Sequence, residues 1–273
     1  MQKSNNTLID DWTRYIVGNK SSAILYRDYQ ILKKKSLKQK YKELYYDTEE
    51  AILKDIPRTY PKSHWLSSKT NKNIIKDILK CWLCYTNIGY IQSMLFYLIP
   101  FACVFEKTPH LAFWAFVYTF NNISSFLRET LDPKYSIHSA NKDSNDVLYR
   151  LSTCYYDKHS KHIFTDTQKT VFYLAINYGI HSKCAVGYLS NCCGQAAIVL
   201  DYLICSIHNE NQFIQKLKSI SFATLLCLII EKNPKELSDQ FLMDISSNAK
   251  FTDDSIYAIL ESAKTSEEIF KYD

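Results

Sequence analysis

Only five glycines and six prolines punctuate a chain of 273 residues. A β-sandwich or barrel of this length needs many tight turns, and those turns draw on glycine, proline and asparagine. So few punctuating residues imply long helices joined by few turns. Hydrophobic residues make up 47% of the chain, enough for a substantial core, and 21 tyrosines with 14 phenylalanines supply most of its aromatic bulk. The expected fold class is all-α, in two helical lobes of one large domain.

Helical periodicity is strongest in the first half. Ile74, Ile75, Ile78, Leu79, Trp82 and Leu83 recur as one apolar stripe, and that helix is expected to end in a turn around Asn87 and Gly89. A second apolar helix is read from about Tyr90 to Ile99. "TPHLAFWAFVYTF" opens with Thr108 as cap and Pro109 at the first helical position. The polar, aperiodic stretch "DPKYSIHSANKDSND" at 132–146 reads as the lobe boundary, giving lobes of 1–140 and 141–273. Beyond it, helices are read around 167–178, 194–207, 210–231 and 253–262. Of these, "FATLLCLII" at 222–230 is apolar on all sides and reads as buried. Asp254 and Ser255 stand near the start of the last helix, with the choice of cap left open.

The net charge is +5, and much of the excess lies in "KKKSLKQK" at 33–40. Lys33, Lys34, Lys35, Lys38 and Lys40 read either as a solvated face or as a patch for an anionic membrane or acidic partner. Nucleic acid is not an expected partner, because no Gly-aromatic RNA motif, zinc-finger spacing or second basic stripe accompanies them. The start "MQKSNNTLIDDW" is polar, unlike a signal peptide. The longest apolar run, "SMLFYLIPFACVF" at 93–105, is shorter than the roughly 20 residues of a membrane span, is interrupted by Pro100, and reads as a buried core helix. Nine cysteines, an odd number, fit a reducing compartment. The expected location is cytoplasmic.

Metal binding finds little support. Cys81 and Cys84 form a C-x-x-C, but Trp82 and Leu83 between them place it inside an apolar helix. Cys154, His159, His162, His181, Cys184, Cys192 and Cys193 crowd one region without a paired zinc spacing. No metal is expected, and a Cys–His nucleophile pair has no support beyond the presence of both residue types.

"ILKDIPRT" at 52–59 is more specific. Pro57 disfavours helix at Ile56, so the helix is expected to end there and Arg58 to stand on the exposed connection. Asp55, close behind, would hold the guanidinium by paired hydrogen bonds. On the residues alone, a surface ion pair at a helix end is the favoured reading. In "NIGYIQSM" at 87–94, Gly89, Tyr90 and Gln92 form a turn entering an apolar helix, where a glutamine reads as a buried contact or an exposed first-turn residue.

Together these two stretches resemble the TBC domain, the all-helical catalytic domain of GTPase-activating proteins for Rab-type small GTPases. The family pattern Ile-x-x-Asp-x-x-Arg-Thr is met by Ile52, Asp55, Arg58 and Thr59. The pattern Ile-Gly-Tyr-x-Gln-x-Met is met by Ile88, Gly89, Tyr90, Gln92 and Met94. "WTRYIVG" at 12–18 resembles the family's opening motif, "EKTPHLAFW" at 106–114 its Phe-Trp segment, and Asp201 in "IVLDYLI" an aspartate found late in these domains. Two positions depart from the pattern: Leu8 stands where an arginine usually precedes the tryptophan, and Ser93 where a glycine follows the glutamine.

The resemblance implies a two-finger mechanism. Arg58 would neutralise charge developing on the phosphates of GTP bound to the partner. Gln92 would orient the attacking water. Asp55 would position Arg58, Tyr90 would support the turn, and Ile52, Thr59 and Gly89 would be further finger-supporting residues. The protein would need no cofactor of its own, since GTP and Mg²⁺ arrive on the GTPase. The alternative is a catalytically silent scaffold of the same fold that binds a GTPase or another protein.

Overall fold

The computed structural model describes residues 4–18, 20–90, 94–131, 186–232 and 251–267, and among these every regular element is a helix. The helices are α1 (Asn5–Val17), α2 (Ser22–Ser36), α3 (Gln39–Thr59), α4 (Lys69–Thr86), α5 (Met94–Val104), α6 (Pro109–Leu131), α7 (Cys193–Ile204), α8 (Glu210–Lys232) and α9 (Asp253–Ser266). A 3₁₀ turn at His64–Ser67 links α3 to α4, and one further helical turn spans Val186–Leu189. No helix among the described residues is long and apolar enough to cross a membrane. The chain divides into two units, the first of residues 1–122 with 190–208, the second of 123–189 with 209–273.

Serines start three of the helices in the first unit. The side chains of Ser4, Ser21 and Ser68 accept from backbone N–H groups of Thr7, Ala23 and Asn71, each satisfying a donor the helix cannot. α4 stops at Asn87, which takes the left-handed conformation at φ 59° while its N–H donates to Leu83 O at 2.9 Å. This is the expected turn. Tyr90, expected to open the next helix, has no regular secondary structure, and the described helix starts at Met94. α6 opens at Pro109, with Thr108 O accepting from Leu111 N at 2.8 Å.

α5 is mostly buried; Met94, Leu95, Tyr97, Leu98, Ile99, Phe101 and Ala102 are wholly enclosed, and Phe96 and Cys103 form a half-buried stripe. The helix runs through Pro100 instead of breaking there. A proline has no N–H to give the carbonyl four residues back, here Phe96 O. That carbonyl accepts instead from the Tyr60 hydroxyl at 2.6 Å. The last residue before the connection after α3 thus repairs the defect in α5.

α7 returns from far along the chain to pack on α5 and α1. Asp201 Oδ1 accepts from Trp12 Nε1 at 3.1 Å, and the Trp12 ring stands edge-on to Phe101 at 5.4 Å. On the other side of the core Trp82 packs on Phe116 and Phe120 at 5.1 and 5.3 Å.

The second unit pairs α8 with α9. α8 buries Phe213, Leu217, Ile220, Phe222, Leu225 and Leu228, while Leu226 and Cys227 of its apolar stretch are half-buried. α9 is capped by Thr252, whose hydroxyl accepts from Ser255 N at 3.2 Å, so the cap stands ahead of both Asp254 and Ser255. The boundary expected at 132–146 and the helix expected at 167–178 lie outside the described residues.

Candidate functional site

The site is built on the last turn of α3. Ile52, Ile56 and Tyr60, four residues apart, are at most 1% exposed and fix the helix against the core. Asp55, at the edge of this face, is 8% exposed. Arg58, three residues on, points outward with 68% of its side chain exposed.

Helix α3 continues through Pro57 to Thr59, so Arg58 sits on the helix and not on a connection beyond it. The expected break at Ile56 does not occur because the proline falls in the final turn, where its missing N–H costs a single rung at Leu53 O. Side chains support the turn from outside the ladder. Thr59 Oγ1 donates to Asp55 O at 2.8 Å, and Arg58 Nε donates to Lys54 O at 2.9 Å. A cation at this helix end also faces the negative pole of the helix dipole.

The Asp55 carboxylate divides its oxygens between two residues. Oδ1 accepts from Arg58 Nη2 at 2.9 Å, and Oδ2 accepts from the Tyr90 hydroxyl at 3.0 Å. The fork expected between Asp55 and Arg58 is therefore replaced by a single carboxylate bond plus the bond to Lys54 O. Burial raises the Tyr90 phenol well above its ordinary range, and the Asp55 carboxylate beside it adds to the effect. Tyr90 is thus a neutral donor. Itself buried and held on its second oxygen by the half-buried Tyr90, Asp55 fixes the direction of a guanidinium whose outer face is open to solvent.

The remaining expected residues fall as follows. Gly89 is exposed, and a Cβ there would meet no described atom within 4 Å. Gln92 and Ser93 lie outside the described residues; Met94, which follows, is wholly buried. Leu8 is half-buried on α1. Among the described residues no group of three or more His, Cys, Asp or Glu is placed to hold a metal. Cys81 and Cys84 are buried on α4, and burial pushes the Cys81 thiol up to about 12.

Tyr60 is the residue that sequence reasoning missed. It joins the end of the Arg58 helix to α5, and Pro100 was its only advance signal, since a mid-helix proline requires some outside donor for the carbonyl four residues back.

Comparison with known families matches residues 12–134 to the model described as the Rab-GTPase-TBC domain. The match runs from the buried Trp12 past the end of α6 and takes in the whole Asp55–Arg58–Tyr90 arrangement. No curated protein and no solved structure matches the chain.

Proposed function

We propose, from the match of residues 12–134 to the Rab-GTPase-TBC domain, that the protein accelerates GTP hydrolysis by a Rab-type small GTPase in its GTP-bound form. Arg58 is the finger supplied in trans. Its planar guanidinium bridges phosphate oxygens as negative charge grows on them, at a point where the GTPase alone has too little positive charge. Such an arginine contributes roughly 10³–10⁵ in rate, about 4–7 kcal/mol. Gln92 orients the attacking water. GTP and Mg²⁺ come with the GTPase, and the protein adds no cofactor. The setting is cytoplasmic, at endomembranes engaged in vesicle trafficking.

One observation carries this reading: an exposed arginine held in direction by a buried carboxylate, itself held by a half-buried tyrosine. An ordinary surface ion pair is worth about 0–1 kcal/mol and needs no buried support. Keeping Asp55 largely out of water to fix a solvent-facing side chain suits an arginine whose target lies outside the chain.

The test is single-turnover phosphate release from a panel of GTP-loaded Rab-type GTPases, with and without the protein. Acceleration of at least one member, reduced in both Arg58→Ala and Gln92→Ala, supports the reading. Binding with no acceleration of any member would make the protein a scaffold instead.

A further inference from the structure

The outward face of α2 carries a pattern that the Arg58 site does not use. α2 buries Leu25, Tyr29 and Ser36 and packs on α4. At about 3.6 residues per turn, Ile24, Arg27, Ile31 and Lys34 fall on one narrow stripe on the opposite side. Ile24 is 46% and Ile31 57% exposed, and Leu37, just past the helix end, is 64% exposed. Three bare aliphatic side chains in so short a segment call for a partner.

The charges around them narrow its chemistry. Residues 22–40 hold six basic side chains and one acidic one, a surplus of five that equals the net charge of the entire chain. Arg27 shares its charge with adjacent Asp28 at 3.2 Å, and Lys33 pairs with Asp77 at 2.7 Å. Lys35 reaches Cys84 O at 3.4 Å, and Lys40 lies over the Tyr41 ring at 5.7 Å. Lys34 and Lys38 are exposed to solvent at the end of the aliphatic stripe.

Protein–protein interfaces are depleted in lysine, whereas helices lying on anionic bilayers set aliphatic side chains on one face and lysines beside them. We infer that the outward face of α2 docks on an anionic lipid bilayer. Ile24, Ile31 and Leu37 seat among the acyl-headgroup boundary, while Arg27, Lys34, Lys38 and Lys40 approach the lipid phosphates. Three aliphatic side chains are too few to anchor a protein by burial alone, and a few lysines are too few by charge alone, so the surface works through both. This inference does not depend on the GTPase reading, because its assay contains no GTPase.

The experiment is co-sedimentation of the full chain with phosphatidylcholine vesicles, with and without phosphatidylserine, at low and high salt. Two variants accompany it: Ile24→Gln with Ile31→Gln, and Lys34→Gln with Lys38→Gln and Lys40→Gln. The expected result is binding only to the phosphatidylserine vesicles, weakened by salt. The aliphatic variant should bind at least tenfold more weakly, and the lysine variant roughly a hundredfold more weakly. Because the substituted side chains are exposed, both variants should melt like the parent. No binding to phosphatidylserine vesicles at low salt would overturn the inference, as would equal binding by parent and variants. A change in self-association caused by the isoleucine substitutions, with no vesicle binding, would make the face a contact between copies of the chain.

Discussion

Asp55 carries two demands that no other residue type meets at once. It must accept from Arg58 on one oxygen and from Tyr90 on the other. Asparagine has one carbonyl oxygen and turns a donor toward the second partner. We expect Asp55→Asn to cost only about 1 kcal/mol of stability by urea unfolding, since Arg58 is largely exposed and its pairing is screened. Loss of aim should cost more than loss of stability, lowering stimulation of a responding GTPase roughly ten- to a hundredfold. Equal, small losses in both would reduce the triad to a structural clasp. A second single-residue expectation concerns Cys81 on α4, whose thiol burial raises from 9.0 to about 12. The unfolded thiol ionises above pH 9 while the folded one stays protonated, so stability is intact below pH 9 and is lost as pH rises toward about 12. Cys81→Ala should flatten that alkaline slope in denaturant titrations. An unchanged slope would assign the alkaline loss to other groups, among them the buried phenols of Tyr29 and Tyr45, whose raised values carry the same sign.

At the scale of elements, helix type and some helix ends were readable because apolar spacing and capping residues declare themselves locally. Asn87 closes α4, and Thr108 with Pro109 opens α6. The Asp55–Arg58 pairing was equally local, three residues apart on one helix. The prolines were harder. Pro57 and Pro100 both read as interruptions, yet both lie inside helices. In α3 the side chains of Arg58 and Thr59 brace the neighbouring carbonyls of Lys54 and Asp55 rather than the one that Pro57 leaves open. In α5 the lost rung is filled by Tyr60, 36 residues from its acceptor. Tyr60→Phe isolates this effect, because it leaves the ring and removes only the hydroxyl. The partly buried Phe96 carbonyl would then lack both its helical and its substitute donor. A stability loss of about 1–3 kcal/mol is expected by denaturant unfolding. A loss near zero would mean that Phe96 O finds water.

Over the whole molecule, the first unit is not continuous in sequence. α7 packs on α5, and Trp12 donates to Asp201 across 189 residues. No periodicity within 12–18 or 193–204 announces such a partnership; the family resemblance named the opening tryptophan and the late aspartate, but not their pairing. A fragment of residues 1–140 omits α7, leaving the apolar surface that Val199, Leu200 and Leu203 help to enclose without its cover. We expect that fragment to aggregate or bind a hydrophobic dye, and a fragment of 1–208 to unfold cooperatively. A stable, cooperatively melting 1–140 would instead make the first lobe self-sufficient.

The central claim is that Arg58 acts on another protein's phosphate. Single-turnover hydrolysis by a responding GTPase, at a saturating concentration of the protein, tests it most directly when wild type is set beside Arg58→Ala. The account predicts that the variant folds and binds, since the side chain is exposed, but loses roughly 10³-fold or more of the stimulation. Stimulation undiminished by Arg58→Ala would contradict it.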